Sequence, residues 1–423
     1  MGPTRECCAP EGEAGAGDEV ERFRERARCF LRVHAVADID VACDAARLDR
    51  ALRFQRALHG AGLAGLSVPA AFGGQGLPVA YETAWREEAG RFPLMTEALS
   101  ITLGNCLRTL LEFGTDAQRR RHVPRILAGR EVWCQLFSEP GAGSDIAGVQ
   151  TRAAPVPGGW LVNGQKVWTT LAHRADFGIL LARTDHTAAK HAGLSMLIVD
   201  LRAGGVETRP IRQLDGATEF DEVFLTDVFV PNDDALGPTG GGWRIASAML
   251  HHQRAARARG QRGGIRHDRT DRLLVELRRR EQRPDPGVRD ELVRLYIAEV
   301  CQSLLVTRSA ATAGPAASTT TGADPGPIGS LGKLTNALVA RQFADLVWRI
   351  VGADSLAWEG PALGRPGHVE PGAQWATDAL FTLSLSIAGG TNEIQRSIIA
   401  ERVLGLPREP TATRPPRASA LAS

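Results

Sequence analysis

No run of eighteen consecutive apolar residues occurs in the 423-residue chain, so no membrane-spanning helix and no membrane association are expected. The first thirty residues are charged and have no apolar centre, so no secretory signal is expected either. Cysteine is sparse. The seven are Cys7, Cys8, Cys29, Cys43, Cys106, Cys134 and Cys301; none sits in a C-x-x-C pair and the count is odd. That argues against a zinc site, any other metal centre, or a disulfide framework, and for reduced thiols in a cytoplasmic protein. An excess of charge of one sign is missing too: 50 Lys and Arg stand against 48 Asp and Glu, a formal +2. A dedicated nucleic-acid binder is therefore not expected. What is present is ordinary for a soluble globular protein, with 43% hydrophobic and 23% charged residues. A chain of this length buries most of its apolar surface and needs no covalent staples. Its length suggests two or three domains.

The texture changes twice along the chain. Residues 1–18 are rich in Gly, Glu and Pro and read as a loose tail. Segment 19–132 has a helical pattern: Phe23, Ala27 and Phe30 recur at spacings of three to four, as do Leu103, Leu107 and Leu110, while Leu48, Leu52 and Leu58 mark a longer repeat. A glycine-rich break, AAFGGQG at 70–76, divides it. Segment 133–241 is strand-like. WLVNGQKVWTT places Asn163–Gly164 between alternating residues, a hairpin signal, and FGILLART, LSMLIVDL and EVFLTDVFVP follow as short apolar runs. This segment is expected to be an antiparallel, all-β domain. Helical patterns return over 242–405, interrupted by the low-complexity connection 314–330, and 406–423 is a proline-rich tail without periodicity.

The sharpest string is CQLFSEPGAGSDIAGVQT, from Cys134. Gly141, Ala142, Gly143 and Ser144 carry little side-chain bulk, so backbone amides there can approach phosphate or carbonyl oxygens, and Ser138 and Ser144 add hydroxyls. The string is not a G-x-G-x-x-G opening a helix, so a nicotinamide fingerprint fits poorly. Taken alone, it also fits a plain turn of a β domain. In NGQKVWTT, Trp168 beside Thr169 and Thr170 is suited to covering a flat ring and bonding its polar edge, or to filling a core. AGGTNEIQRSIIAERVLGL, from Ala388, has a Gly389–Gly390–Thr391 reversal that opens a final amphipathic helix.

Together these strings resemble the acyl-CoA dehydrogenase family. The resemblance runs from about residue 20 to 406 and takes in AGLSVPAAFGGQGL, EFDEVFLTDVFVP and GGWRIASAML in the family's order. It implies an α+β fold: an N-terminal helical domain, a middle β-barrel or sandwich, and a C-terminal four-helix bundle. It also implies FAD at the junction, an acyl-CoA or acyl-carrier-protein substrate, an electron-transfer partner or oxygen, and a homo-oligomer (dimer or tetramer) or a heteromer with a related subunit. Carried over by position, the flavin contacts fall on Gln135, Phe137, Ser138, Gly143, Ser144, Trp168, Thr170, Thr391 and Glu393. Ser144 is also placed near the thioester, and Arg254 near the substrate.

The implied chemistry removes the α-hydrogen of the thioester as a proton and the β-hydrogen as a hydride. The proton needs a carboxylate within reach. Hydrogen bonds to the thioester oxygen stabilise the developing enolate. The flavin carries the redox step. Here the sequence departs from the family. One branch carries its Glu base where this chain has Gly389, and another where it has Gln253, before Arg254. His251 and His252 precede Gln253, and one of them, His252 being adjacent, is the replacement with a suitable titration range. The family's R-x-x-F-G flavin contact is missing, and the Gln of its Q-x-x-G-G contact, made across subunits, is Arg349. The segment 254–283 holds eleven Arg, read as a solvated helix pair or as a phosphate-attracting surface. Glu219, Asp221 and Glu222 are expected to face solvent. Three functions stay open: an acyl-thioester dehydrogenase with an unusual base, a flavin monooxygenase or other redirected chemistry on the same fold, and a non-catalytic subunit of a heteromeric dehydrogenase.

Overall fold

The computed structural model describes residues 16–35, 44–92, 94, 96–214, 216–259, 268–312, 328–356 and 373–408. Helix α1 (Ala16–His34) starts inside the segment expected to be loose. The rest of the two tails and most of 314–330 lie outside the described residues. Phe23, Ala27 and Phe30 share one face of α1, because residues three and four apart stack on a helix. That face packs with Leu58 and with Ala84 of α3 (Val79–Ala89). Helix α2 (Asp44–Gly60) turns Leu48 and Leu52 away from this cluster and into the core of the β domain. A π-helical stretch (Ser100–Cys106) runs directly into α4 (Leu107–Phe113). Helix α5 (Asp116–Leu127) begins at a reciprocal cap between Thr115 and Gln118.

Seven strands follow: β1 (Trp133–Leu136), β2 (Arg152–Val156), β3 (Gly159–Thr170), β4 (Phe177–Arg183), β5 (Leu194–Asp200), β6 (Val206–Ile211) and β7 (Phe220–Pro231). The sheet is not wholly antiparallel, which corrects the expectation. β1 lies parallel to β4, with Trp133 opposite Phe177, and one parallel bridge joins Arg152 to Arg183. The chain between β1 and β4 includes a loop and the β2–β3 hairpin, long enough to cross over and return in parallel. The remaining pairs, β2–β3, β3–β7, β4–β5 and β6–β7, are antiparallel.

The hairpin signal also needs correction. Asn163–Gly164 is not a turn; it lies inside β3, where the register with β7 shifts. The turn falls at Pro157–Gly158, with Val156 opposite Gly159 and Gly158 in the left-handed region at φ 82°. Two local contacts explain the misplaced signal. A Cβ on Gly164 would sit 2.4 Å from Thr151 Oγ1, so the glycine allows close packing of β2 on β3. The Asn163 amide donates to Asp227 Oδ1 (2.9 Å) and accepts from the Asp227 N–H (3.0 Å), occupying groups that the bulge frees.

Strands β4 and β5 are buried on both sides, and their alternation sorts two cores. Leu180, Ala182, Leu197 and Val199 face Val162, Val223 and Val228 within the curled sheet. Ile179, Leu181, Met196 and Ile198 face the helices. Helix α6 (Gly242–Arg259) lies on that second face through Ile245, Ala246 and Met249. The C-terminal part, expected as a four-helix bundle, has six helices among the described residues: α6, α7 (Asp268–Arg279), α8 (Pro286–Thr312), α9 (Ile328–Val351), α10 (Ala373–Ser384) and α11 (Asn392–Arg402). Phe343 and Val347 of α9 sit at its centre, with Leu277 of α7, Leu295 of α8 and Trp375 of α10 around them. No helix among the described residues is long and apolar enough to cross a membrane.

Candidate active site

The loop after β1 and the end of β3 lie side by side. At β1, the Asn105 amide from the π-helical stretch donates to Gln135 Oε1 (3.1 Å) and fixes that side chain. Phe137 is buried in the same core as Met249 of α6. The chain then reverses tightly: the Glu139 N–H donates to the Ala142 carbonyl (3.1 Å), and the Ala142 N–H donates back (3.0 Å). This reversal leaves Gly141, Gly143 and Ser144 exposed, with Ser138 half-buried. At Gly141 and Gly143 a Cβ would meet nothing within 4 Å, so internal packing does not demand glycine there. The bare backbone faces outward, open to close approach by a ligand.

The Val167 N–H donates to the Ser138 carbonyl (2.9 Å), which joins the two strings. The next residue, Trp168, is 58% exposed and has φ 59°, a left-handed conformation unusual for a bulky residue. Its ring meets Phe220 edge-on at 6.1 Å. The register of β3 with β7 breaks between Lys166 and Thr169, and this bulge turns the indole outward. Thr170 follows, half-buried.

Lys166, Glu139, Asp221 and His173 support these segments. Lys166 is fully buried and forms a 2.8 Å ion pair with Glu139. Both letters stand inside the quoted strings, but a buried lysine leaves no periodic signal. Asp221 is a correction: expected in solvent, it is 0% exposed. It accepts from the His173 N–H (3.1 Å) and lies 2.9 Å from His173 Nδ1. Its position on β7, opposite Thr169 of β3, turns it inward, and the histidine supplies the partner that a buried carboxylate needs.

On α6, Gln253 lies one turn beyond Met249, and its Oε1 is buried without a hydrogen-bond partner. His252 Nε2 lies 3.0 Å from Glu112 Oε2 on α4. Arg254 lies in α6 with its side chain outside the described residues. In the segment 254–283, Arg269, Arg272, Arg279 and Arg280 pair with Glu299, Asp378, Glu276 and Asp354 inside the C-terminal part. That favours the structural reading for those four; residues 260–267 lie outside the description.

The last string sits on the helical part. Gly389 has φ 73° and Gly390 φ 92°. Thr391 caps α11 by accepting from the Ile394 N–H (3.3 Å). Glu393 is exposed, and hydrogen bonds from its own backbone and from Thr391 hold its carboxyl below the usual range. Lys333 of α9, buried, donates to the Ser386 carbonyl (3.3 Å) and Asn392 Oδ1 (3.0 Å), which fixes this reversal. Arg349 lies sixteen residues further along the same helix, about 24 Å at 1.5 Å per residue, paired with Glu291 of α8. Within one chain, then, Arg349 and Thr391 do not share a site.

Three family models cover most of the chain: the acyl-CoA dehydrogenase N-terminal domain over 17–130, the middle domain over 134–228 and the C-terminal domain over 240–404. Acyl-CoA dehydrogenase IpdE1 of Mycobacterium tuberculosis is 38% identical over 410 residues, covering 96% of this chain and 94% of its own. Among solved structures, the Tcur3481-Tcur3483 steroid ACAD is 27% identical with a TM-score of 0.72, covering 93% of this chain and 98% of its own. The ChsE4-ChsE5 complex from Mycobacterium tuberculosis is 26% identical with a TM-score of 0.72, covering 94% of this chain and 100% of the matched one. Helices, sheet domain and helices in this order define a flavin-dependent oxidoreductase that acts on CH–CH bonds. The chain belongs to the acyl-CoA dehydrogenase family. Its cofactor is FAD, and family members act on acyl-CoA thioesters and form oligomers.

The residues present fit that cofactor. An exposed indole held in a left-handed conformation offers a flat apolar face, two residues before the half-buried Thr170. The open backbone at Gly141–Ser144 offers amides without side-chain bulk.

Proposed function

We propose that this chain is one of two unlike subunits of a FAD-dependent acyl-CoA dehydrogenase, and that the carboxylate base comes from the partner subunit. The observation carrying the proposal is the pair of residues at the family's base positions. Gly389 has no side chain and holds φ 73°, a conformation that disfavours glutamate; Gln253 is an amide that accepts no proton near neutral pH. Trp168, Thr170, Gln135, Phe137, Ser138, Gly143 and Ser144 would hold the flavin, with Thr391 and Glu393 near its ribityl–pyrophosphate part. When bound, FAD supplies the hydride acceptor. The chain's own residues orient the thioester, shield it from water, and offer the Gln253 amide beside it.

Assembly supports the reading. Val293, Tyr296, Ile297 and Leu304 form an exposed apolar stripe on α8, and Phe381, Ile387 and Leu404 are exposed around α10 and α11. A second chain of the same fold would cover such faces, and only across subunits would Arg349 come near a flavin. The Tcur3481-Tcur3483 and ChsE4-ChsE5 proteins are two-component assemblies, and the first is a steroid ACAD. We infer a steroid-sized acyl-CoA as substrate and the cytoplasm as location. A second reading is a self-sufficient dehydrogenase with His252 as base, favoured by the His252–Glu112 pair beside Gln253.

The test is expression alone and together with a related chain that carries the family glutamate. The co-purified complex should be yellow and bleach anaerobically with a steroid-side-chain CoA, whereas the chain alone should not bleach. Bleaching by the chain alone would favour the second reading. Oxygen uptake driven by NAD(P)H would refute both and point to a monooxygenase.

A further inference from the structure

The Lys166 ammonium donates to three acceptors: the Phe137 carbonyl (3.0 Å), Glu139 Oε1 (2.8 Å) and the Leu181 carbonyl (2.8 Å). All three of its N–H groups are thereby used. Glu139 in turn accepts from the Gln150 N–H (2.7 Å) and the Thr151 N–H (2.9 Å). Two of the lysine's acceptors flank Ser138, and the residue after the lysine, Val167, bonds the Ser138 carbonyl. One buried charge thus fastens the loop carrying Ser138–Ser144 to the strand end carrying Trp168 and Thr170. Apolar packing alone would not need an ammonium here; a methionine has nearly the same reach and no desolvation cost.

We propose that the Lys166–Glu139 pair is a positioning device for the cofactor, holding two separate flavin-facing segments in one relative geometry. It rests on the reading that both segments face FAD. The pair itself makes no claim on the flavin; it acts through Ser138 and Trp168. Neighbouring charges are engaged elsewhere. Arg183 on β4 donates to the Ala147, Val149 and Lys190 carbonyls, and Asp221 on β7 is paired with His173.

Burial pulls Lys166 down to about 8, against the opposing charge and hydrogen bond of Glu139. Burial works against the Glu139 carboxylate too, but the Lys166 charge and the hydrogen bonds it accepts outweigh it and hold it below the usual range. The sign of the linkage separates two effects. A lysine with a lowered folded value releases its proton more readily folded than unfolded. As pH rises from about 8 towards the ordinary 10.5, this group makes folding relatively more favourable, not less. The clamp on the flavin segments loosens as pH rises through about 8.

The test measures the FAD dissociation constant and the visible circular dichroism of bound flavin in the complete protein, with its partner chain if one is needed. The unaltered protein is titrated across one pH unit either side of the lysine value, and the double variant Glu139→Gln/Lys166→Met is compared with it. The double variant removes both charges, so neither is stranded in the core. About tenfold weaker FAD binding and an altered dichroism band are expected at high pH and in the double variant, with its melting temperature near that of the parent. A folded double variant with parental affinity and dichroism would overturn the proposal. If that variant does not fold, Glu139→Gln alone decides, and parental affinity and dichroism in it overturn the proposal. A parent protein that takes up no FAD in any assembly would overturn the flavin reading itself, and this inference with it.

Discussion

His252 on α6 and Glu112 on α4 meet at 3.0 Å, Nε2 to Oε2, one residue from Gln253, the position proposed above for a family base. The contact holds the imidazole toward α4. Residues adjacent on a helix point about 100° apart, so His252 and Gln253 do not share a direction. If the partner subunit supplies the base, His252→Gln is expected to change the rate of substrate-driven flavin bleaching by only a few-fold. It should lower stability by about 0.5–1.5 kcal/mol for the lost bond. A fall of about 10²-fold or more would instead make His252 the proton acceptor. Rapid-mixing absorbance at the flavin band, with thermal melts as control, distinguishes these outcomes.

Replacing Gln253 by Glu is expected to create or raise acyl-CoA-driven bleaching in the FAD-loaded chain alone, by about 10²–10⁴-fold, the range a well-placed base contributes. The buried Oε1 without a partner shows that a carboxylate there would sit in a dehydrated position, which favours a raised, base-like value. Gly389→Glu is expected to do less. At φ 73° a side chain costs roughly 1–2 kcal/mol, so this variant should melt lower before it gains activity. Equal rates in Gln253→Glu and the parent, with flavin retained, would show that α6 does not present this residue to the substrate.

Much of this site was legible as letters before it was legible as geometry. The strings around Ser138, Trp168 and Thr391 stood out by resemblance to a family rather than by local turn chemistry: packing does not demand glycine at 141 or 143, and the bulge at Trp168 contains none. Only the Gly389–Gly390 reversal is written in glycine, both residues having positive φ. The helical faces of Phe23, Ala27 and Phe30 followed from spacing alone. The parallel β1–β4 pair did not, since strand direction depends on a crossover whose path no local pattern records. Asn163–Gly164 misled because the same dipeptide that suits a two-residue turn also suits a bulge. Lys166 and Asp221 were hidden because charged letters read as solvent-facing until partners distant in sequence, Glu139 and His173, are seen beside them.

Trp168 is a place where function and fold pull apart. Its left-handed backbone is strained for an aromatic residue, yet the ring is mostly exposed and contributes little burial. Trp168→Gly removes the ring and relieves the backbone. It is expected to leave the melting temperature of the flavin-free protein unchanged or higher, and to lower FAD occupancy on purification. Unchanged occupancy, read from the ratio of flavin to protein absorbance, would remove the indole from the cofactor site. A lower melting temperature would show that the strained conformation serves the fold after all.

Acid sensitivity should originate partly in the C-terminal helices, on α7. Glu276 accepts from Arg279 Nε (2.9 Å) and Arg279 Nη2 (2.7 Å), and Arg280 binds the same carboxylate while reaching Asp354. The hydrogen bonds from Arg279 lead, burial opposes them, those from Arg280 add, and together they bring the carboxyl down to about 2 from an ordinary 4.5. A carboxyl with a lowered folded value stabilises fully above its unfolded value, and that contribution fades as pH falls through the window between the two. Glu276→Gln is therefore expected to melt below the parent at neutral pH, with the gap closing as pH drops from about 4.5 to about 2. The variant should keep its flavin, because α7 packs on α8, α9 and α10 rather than on the sheet. Melting curves across that range check the sign. A gap that stays constant with pH would mean that packing of the side chain, and not its charge, holds α7 against the rest of the helical part.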